Sequence, residues 1–158
     1  DQASRPDFGT AVKSASRQRV QMGGKTVFNQ ASAWSPRALA ALRIVAGLLF
    51  LAHGLVKLFG FPAGAEPGQQ ELFSLFGIGG AIELVTGVLL VLGLFTRPAA
   101  FIASGQMAVA YWMFHFPRDP MPAVNGGDAA ILFCFVFLYI FTAGPGAWSL
   151  DERGSKRF

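Results

Sequence analysis

Apolar residues in this chain come in long, nearly unbroken runs, not in the alternation of a half-buried strand or the narrow stripe of a soluble helix. Four such runs stand out, at Ala38–Phe61, Gly77–Phe95, Ala99–Phe116 and Asp128–Ala143. The first is 24 residues long, enough at about 1.5 Å per residue to cross a hydrocarbon core of about 30 Å with some tilt. Between the runs lie Pro- and Gly-rich breaks: Pro62–Gln70, Thr96-Arg97-Pro98 as a tight turn, and Pro117–Gly127. Pro36 suits a helix start. Glu71–Phe76 reads as a short interfacial helix, with Leu72, Phe73, Leu75 and Phe76 at one end. The pattern predicts an all-α integral membrane protein, a four-helix transmembrane bundle spanning about 38–61, 77–95, 99–116 and 128–143.

Polar positions inside these runs are few and grouped. On a helical wheel Arg43, Gly47, Gly54 and Lys57 fall within about 40° of one another, with His53 one turn from Lys57. In the second run Gly80, Glu83 and Gly87 share a face. A charge in the middle of a membrane costs about 2.5–3.5 kcal/mol even on insertion scales, so these faces are expected to turn inward. His53 and Glu83 each lie six residues from the outer end of their run, hence at a common depth of about 9 Å. Lys57, Glu83 and His53 are therefore expected to meet, with Tyr111, His115, Asn125 and Asp128 converging from the third and fourth runs. Two readings of that cluster stay open: a Lys57–Glu83 ion pair that fixes helix register, or a pocket for a ligand, a quinone headgroup or a proton relay. Arg43, in the inner half with no acid at its depth, is expected to reach fourth-helix carbonyls or the tail acids Asp151 and Glu152. Asp128 also complements the helix dipole after Gly126-Gly127, and Cys134 reads as a small buried hydrophobe.

Composition agrees with a membrane bundle: 53% of residues are hydrophobic and 14% charged, with 16 Phe and 19 Gly among 158 residues. Of 13 Lys and Arg, most lie ahead of the first run, in the Arg97 turn or after the last run, whereas the 62–76 loop has none. By the positive-inside rule both termini are cytoplasmic. Residues 36–150 then form the membrane domain and 151–158 a charged cytoplasmic tail. The basic residues flank membrane segments, which argues against nucleic acid as a partner and for lipid. Asp1–Ser35 is a polar basic tail with only a faint apolar stripe and would be disordered alone. It is expected to lie on partner subunits or on the membrane surface through Arg5, Lys13, Arg17, Arg19 and Lys25, with docking on its own bundle as the alternative. It lacks the apolar core of a signal peptide, and the opening on Asp1 rather than Met leaves room for preceding residues. The single cysteine leaves no CxxC redox pair, and no CxxCH, HxxxH or ExxH spacing points to haem or another metal site. No covalent cofactor is expected, and no catalytic residue is singled out.

The segments LRIVAGLLFLAHGLVKLFGF, GGAIELVTGVLLVLGLFTRPAA, NGGD and AGPGAWSLD resemble the DoxX family of small bacterial membrane proteins over about residues 37–151. Its polar signature positions fall on Arg43, His53, Gly54, Lys57, Glu83, Arg97, Asn125 and Gly126. Asp128 departs from the Glu more usual after NGG. The resemblance implies a four-helix protein of the bacterial inner membrane, with some relatives serving as the membrane subunit of a thiosulfate:quinone oxidoreductase. Two functions follow as expectations: a non-catalytic accessory subunit of a larger redox or energy-converting complex, or a quinone-reactive subunit in which Glu83 and His53 handle quinone protons.

Overall fold

The structure, a computed structural model, describes the backbone of residues 8–155 and the side chains of residues 31–153. Arg5 lies outside the described residues, and so do the side chains of Lys13, Arg17, Arg19 and Lys25. Two compact units adjoin at Ser35 and Pro36, the second running from Pro36 onward. Among the described residues there are helices and no strands. Helix α1 spans Phe8–Phe59, α2 Leu75–Leu92, α3 Thr96–Ala110, α4 Pro122–Asn125, α5 Asp128–Ala143 and α6 Leu150–Ser155. A π-helical turn, Tyr111–His115, continues α3.

Several boundaries differ from the sequence expectation, each for a local reason. Pro36 lies inside α1 and does not open it. Its fixed φ is already helical and only one intrahelical bond is forgone, while the Ala, Gln, Leu and Arg around it favour helix. Thr96-Arg97-Pro98 is the first turn of α3, where a missing N–H is harmless. The reversal sits instead at Gly93, left-handed at φ 65°, and Phe95, at φ 47°. Glu71–Phe76 is not a separate helix. Ser74 caps α2 by accepting from Gly77 N at 3.0 Å, so Leu75 and Phe76 belong to its first turn.

Apolar packing is tight on one side of each helix and open on the other. The core joins Ala46 and Phe50 of α1, Leu90 of α2, the Ala99–Ala103 face and Met107 of α3, and Phe137 and Ile140 of α5. Phe137 meets Phe50 edge-on at 4.9 Å between centroids and stacks on Phe133 at 5.6 Å. The outward faces carry Val45, Val85, Phe101 and Leu132, all more than half exposed. Apolar exposure on that scale is what a lipid solvent accommodates. Ala31–Phe59 and Leu75–Leu92 are long and apolar enough to cross a membrane.

Close approach of α1 to α2 depends on two glycines. A Cβ at Gly54 would stand 2.6 Å from Leu84 N, and one at Gly87 would stand 2.8 Å from Leu51 N. Backbone at that range leaves no room for a side chain. The crossing places the last turns of α1 against the first half of α2, and the polar site is built there.

Candidate functional site

Lys57 and Glu83 face each other across that crossing. Lys57 Nζ donates to Glu83 Oε1 at 2.5 Å, and the Glu83 side chain is only 2% exposed. Gln106, reaching in from α3, donates from Nε2 to the same oxygen at 3.2 Å and to Gly79 O at 3.0 Å. The Gly79 carbonyl can only accept, so it fixes which way the amide points. Glu83 Oε2 and Gln106 Oε1 are then left buried without a hydrogen-bond partner. Leaving such atoms unmatched costs about 1–3 kcal/mol each.

Both side chains line a cavity of about 580 Å³ between α1, α2, α3 and α5. Its volume falls in the range of small-molecule sites, and the wall has the same character: mostly apolar, with a few polar groups. Phe50, Phe133, Met107 and Ile82 form apolar wall, while His53, Lys57, Glu83, Gln106 and His115 supply the polar groups. The π-helical turn bears directly on this. One extra residue in the turn rotates Met113, Phe114 and His115 relative to α3, and all three line the cavity.

The two histidines are oriented by carbonyls. His53 Nδ1 lies 2.8 Å from Leu49 O on its own helix, and His115 Nδ1 lies 3.1 Å from Asn125 O. Since a carbonyl only accepts, Nδ1 is the donor in each contact, and in a ring carrying that single proton Nε2 is an acceptor. Asn125 itself is buried and spent on its loop, donating to Asp119 O at 2.6 Å and accepting from Gly127 N at 2.7 Å.

Of the sequence-derived cluster, His53, Lys57, Glu83 and His115 line the cavity, whereas Tyr111, Asn125 and Asp128 do not. The Tyr111 ring stacks on His115 at 6.3 Å. Asp128 is exposed at the start of α5. Sequence reading missed Gln106. A neutral amide among Ala, Ser, Gly and Met carries no charge to flag it, although a lone amide in an otherwise apolar helix asks for a partner. Among the described residues no three His, Cys, Asp or Glu side chains group as metal ligands.

Arg43 forms a second polar site, fully buried. Its Nε donates to Pro145 O at 2.8 Å, Nη1 to Leu90 O and to Val91 O at 3.1 Å, and Nη2 to Ala147 O at 3.3 Å and Trp148 O at 3.1 Å. Asp151 acts on Arg43 through its charge, as expected of a tail acid, but the hydrogen-bond partners differ from the expectation. The carbonyls belong to the end of α2 and the 145–148 loop, because the C-terminus of α2 presents carbonyls without intrahelical donors. Those of α5 are taken by Arg97, whose Nη1 donates to Phe141 O at 2.6 Å and Thr142 O at 2.9 Å. Asp151 bonds not to Arg43 but to the N-terminus of α3, accepting from Phe95 N and Thr96 N at 2.9 Å each.

Comparison with known proteins gives a consistent set. The DoxX family model matches residues 38–116. The chain is 39% identical over 133 residues to an uncharacterized protein of Haemophilus influenzae, covering 82% of this chain and 99% of the relative. It is 31% identical to an uncharacterized membrane protein of Mycobacterium tuberculosis, over 77% of this chain and 84% of that protein. The inner membrane protein YphA of Escherichia coli is 29% identical over 75% of this chain and 91% of its own length. No solved structure matches the chain.

Proposed function

The chain belongs to the DoxX family of membrane proteins, and on that premise we propose that it is a membrane subunit lending a quinone-type pocket to a larger redox or energy-converting assembly. In this reading it has four spans in a bacterial inner membrane, and α3 with its π-turn and α5 are the third and fourth. Both termini are cytoplasmic, in keeping with the basic residues of both tails and Arg97. The subunit positions a ligand and its protons, and electrons arrive from a partner chain. The basic N-terminal tail is the partner-facing segment.

One observation carries the proposal: a buried carboxylate with an unmatched acceptor oxygen among the lining residues of a largely apolar cavity of about 580 Å³. The residues fit a ring-headed, apolar-tailed molecule. Phe133, Met107 and Ile82 offer apolar wall, Lys57 has N–H donors beyond the one given to Glu83, and Glu83 and Gln106 carry acceptors. A quinone bound there would contribute the redox chemistry. This chain's part is to bind the ring, keep bulk water away and hold protons at Glu83 and the histidines.

The test is photolabelling of the purified protein in lipid nanodiscs with an azido-substituted benzoquinone. Adducts are expected on Ile102–His115 and Ala129–Phe133, and excess unmodified quinone should suppress them. Adducts spread evenly over outward side chains such as Phe101 and Phe135 would overturn the pocket. The partner half of the proposal has its own test. Removing residues 1–35 should abolish co-purification of other subunits while Cys134 stays protected from thiol reagents. Undiminished co-purification would refute it.

A further inference from the structure

The hydrogen-bonding groups around this cavity are unequal in kind, and the imbalance goes beyond the presence of a pocket. Acceptors are in surplus. Glu83 Oε2 and Gln106 Oε1 are buried without partners. His53 and His115 each donate from Nδ1 to a carbonyl, so the neutral form of either ring adds an acceptor at Nε2. Lys57 is the one cationic donor among the lining residues, and its shortest contact already goes to Glu83. The amide N–H groups of Gln106 are used on Gly79 O and Glu83 Oε1. A ligand head that brings only carbonyl oxygens could accept from the remaining N–H groups of Lys57 but would leave the buried acceptors unmatched. One that brings O–H groups would satisfy them. Glu83 is decisive, because hydrogen bonds to a charged acceptor are about twice as strong as neutral ones.

We infer that the cavity selects the hydroxyl-bearing form of its ligand: a hydroquinone-type head, donating O–H to Glu83 Oε2 and Gln106 Oε1, over the corresponding dicarbonyl quinone. This rests on the quinone-type pocket proposed above and adds to it which redox form is held.

The experiment compares a benzohydroquinone and a benzoquinone carrying the same decyl tail. Each is titrated anaerobically into the nanodisc-embedded full chain by calorimetry, beside decylbenzene as a headless control. The hydroquinone is expected to bind at least about ten-fold tighter than the quinone, equivalent to about 1.4 kcal/mol. Glu83→Gln should collapse the preference, and Gln106→Leu should reduce it. If Glu83→Gln does not fold, Gln106→Leu carries the test alone, and an undiminished preference in that variant overturns the inference. Equal affinity of the two heads in the wild-type chain also overturns the inference, yet leaves the pocket intact. Decylbenzene binding as tightly as both heads, or no binding of either head, overturns the pocket itself and the inference with it.

Discussion

Arg43 and the Lys57–Glu83–Gln106 cluster lie on the same helix face, roughly 20 Å apart along α1, and solve the problem of buried polarity in opposite ways. Arg43 spends its guanidinium on five backbone carbonyls in two segments. It is fully buried. The cluster around Glu83 keeps two buried acceptors unmatched beside a cavity of about 580 Å³. A network with its members satisfied rigidifies the fold, whereas a half-satisfied one is unstable unless something else completes it. Equal burial thus separates into a structural site and a candidate binding site once the hydrogen bonds are counted atom by atom.

The comparison breaks first at Arg43. Arg43→Ala strips the donor from the end of α2 and from the 145–148 loop together. With charge-assisted bonds at about 1.5–3 kcal/mol each, the loss is expected to be on the order of 5 kcal/mol. Thermal unfolding followed by thiol labelling of Cys134, the chain's single cysteine, reads this directly. Arg43→Lys keeps the charge but not the planar fork and should fall between the two. An Arg43→Ala protein as stable as wild type would remove the structural half of the comparison.

Next in size is the ion pair. Lys57→Met leaves Glu83, 2% exposed, without its cation, and about 3–5 kcal/mol is the usual consequence of stranding a buried charge. Glu83→Gln should cost less, because the Lys57 side chain keeps 15% exposure. The double variant Lys57→Met/Glu83→Gln should recover much of the loss while abolishing ligand selection. If the double variant is as unstable as the two singles added together, the residues are not coupled.

Much of this was readable from residue order, and the failures have physical causes. Asp128–Ala143 reads correctly at both ends because Gly127 and Gly144 bracket an uninterrupted apolar run. The meeting of Lys57 with Glu83 follows from equal depth and from the cost of isolated charge in lipid. The Arg43 partners were not readable, because backbone carbonyls belong to every residue and only the fold selects which are left without donors. Asp151 was equally opaque: its role as a cap for α3 joins positions more than fifty residues apart. Gln106 was lost because an uncharged amide produces no electrostatic signal.

A smaller expected effect separates the two sites in space. Gly54→Ala sets a methyl group against the α2 backbone beside Leu84 and Gly80. Overpacking of this kind costs about 1–3 kcal/mol. It should displace Lys57 relative to Glu83 and weaken ligand binding, while hydrogen exchange in the 145–149 loop stays as in wild type. Loosening of that loop to the same extent would mean that the two sites act as one unit.

The smallest expected change in stability is the most telling. Gln106→Leu removes two donated bonds, one to Gly79 O at 3.0 Å with a net value of about 1 kcal/mol and one to the Glu83 carboxylate at 3.2 Å with a value of about 1.5–3 kcal/mol. It also removes Oε1, a buried acceptor with no partner, whose desolvation penalty is of comparable size, and it adds apolar contact to a wall that is already largely apolar. The terms oppose one another, so the unfolding temperature should stay within a few degrees of wild type. An ordinary buried amide with all its bonds made would not behave this way, and Arg43 should behave in the opposite manner. Ligand selection should nevertheless fall, because the lost oxygen is one of the two unmatched acceptors to which the proposed ligand donates. A marked drop in stability would instead show Gln106 to be as fully engaged as Arg43, and the distinction between the two sites would fail.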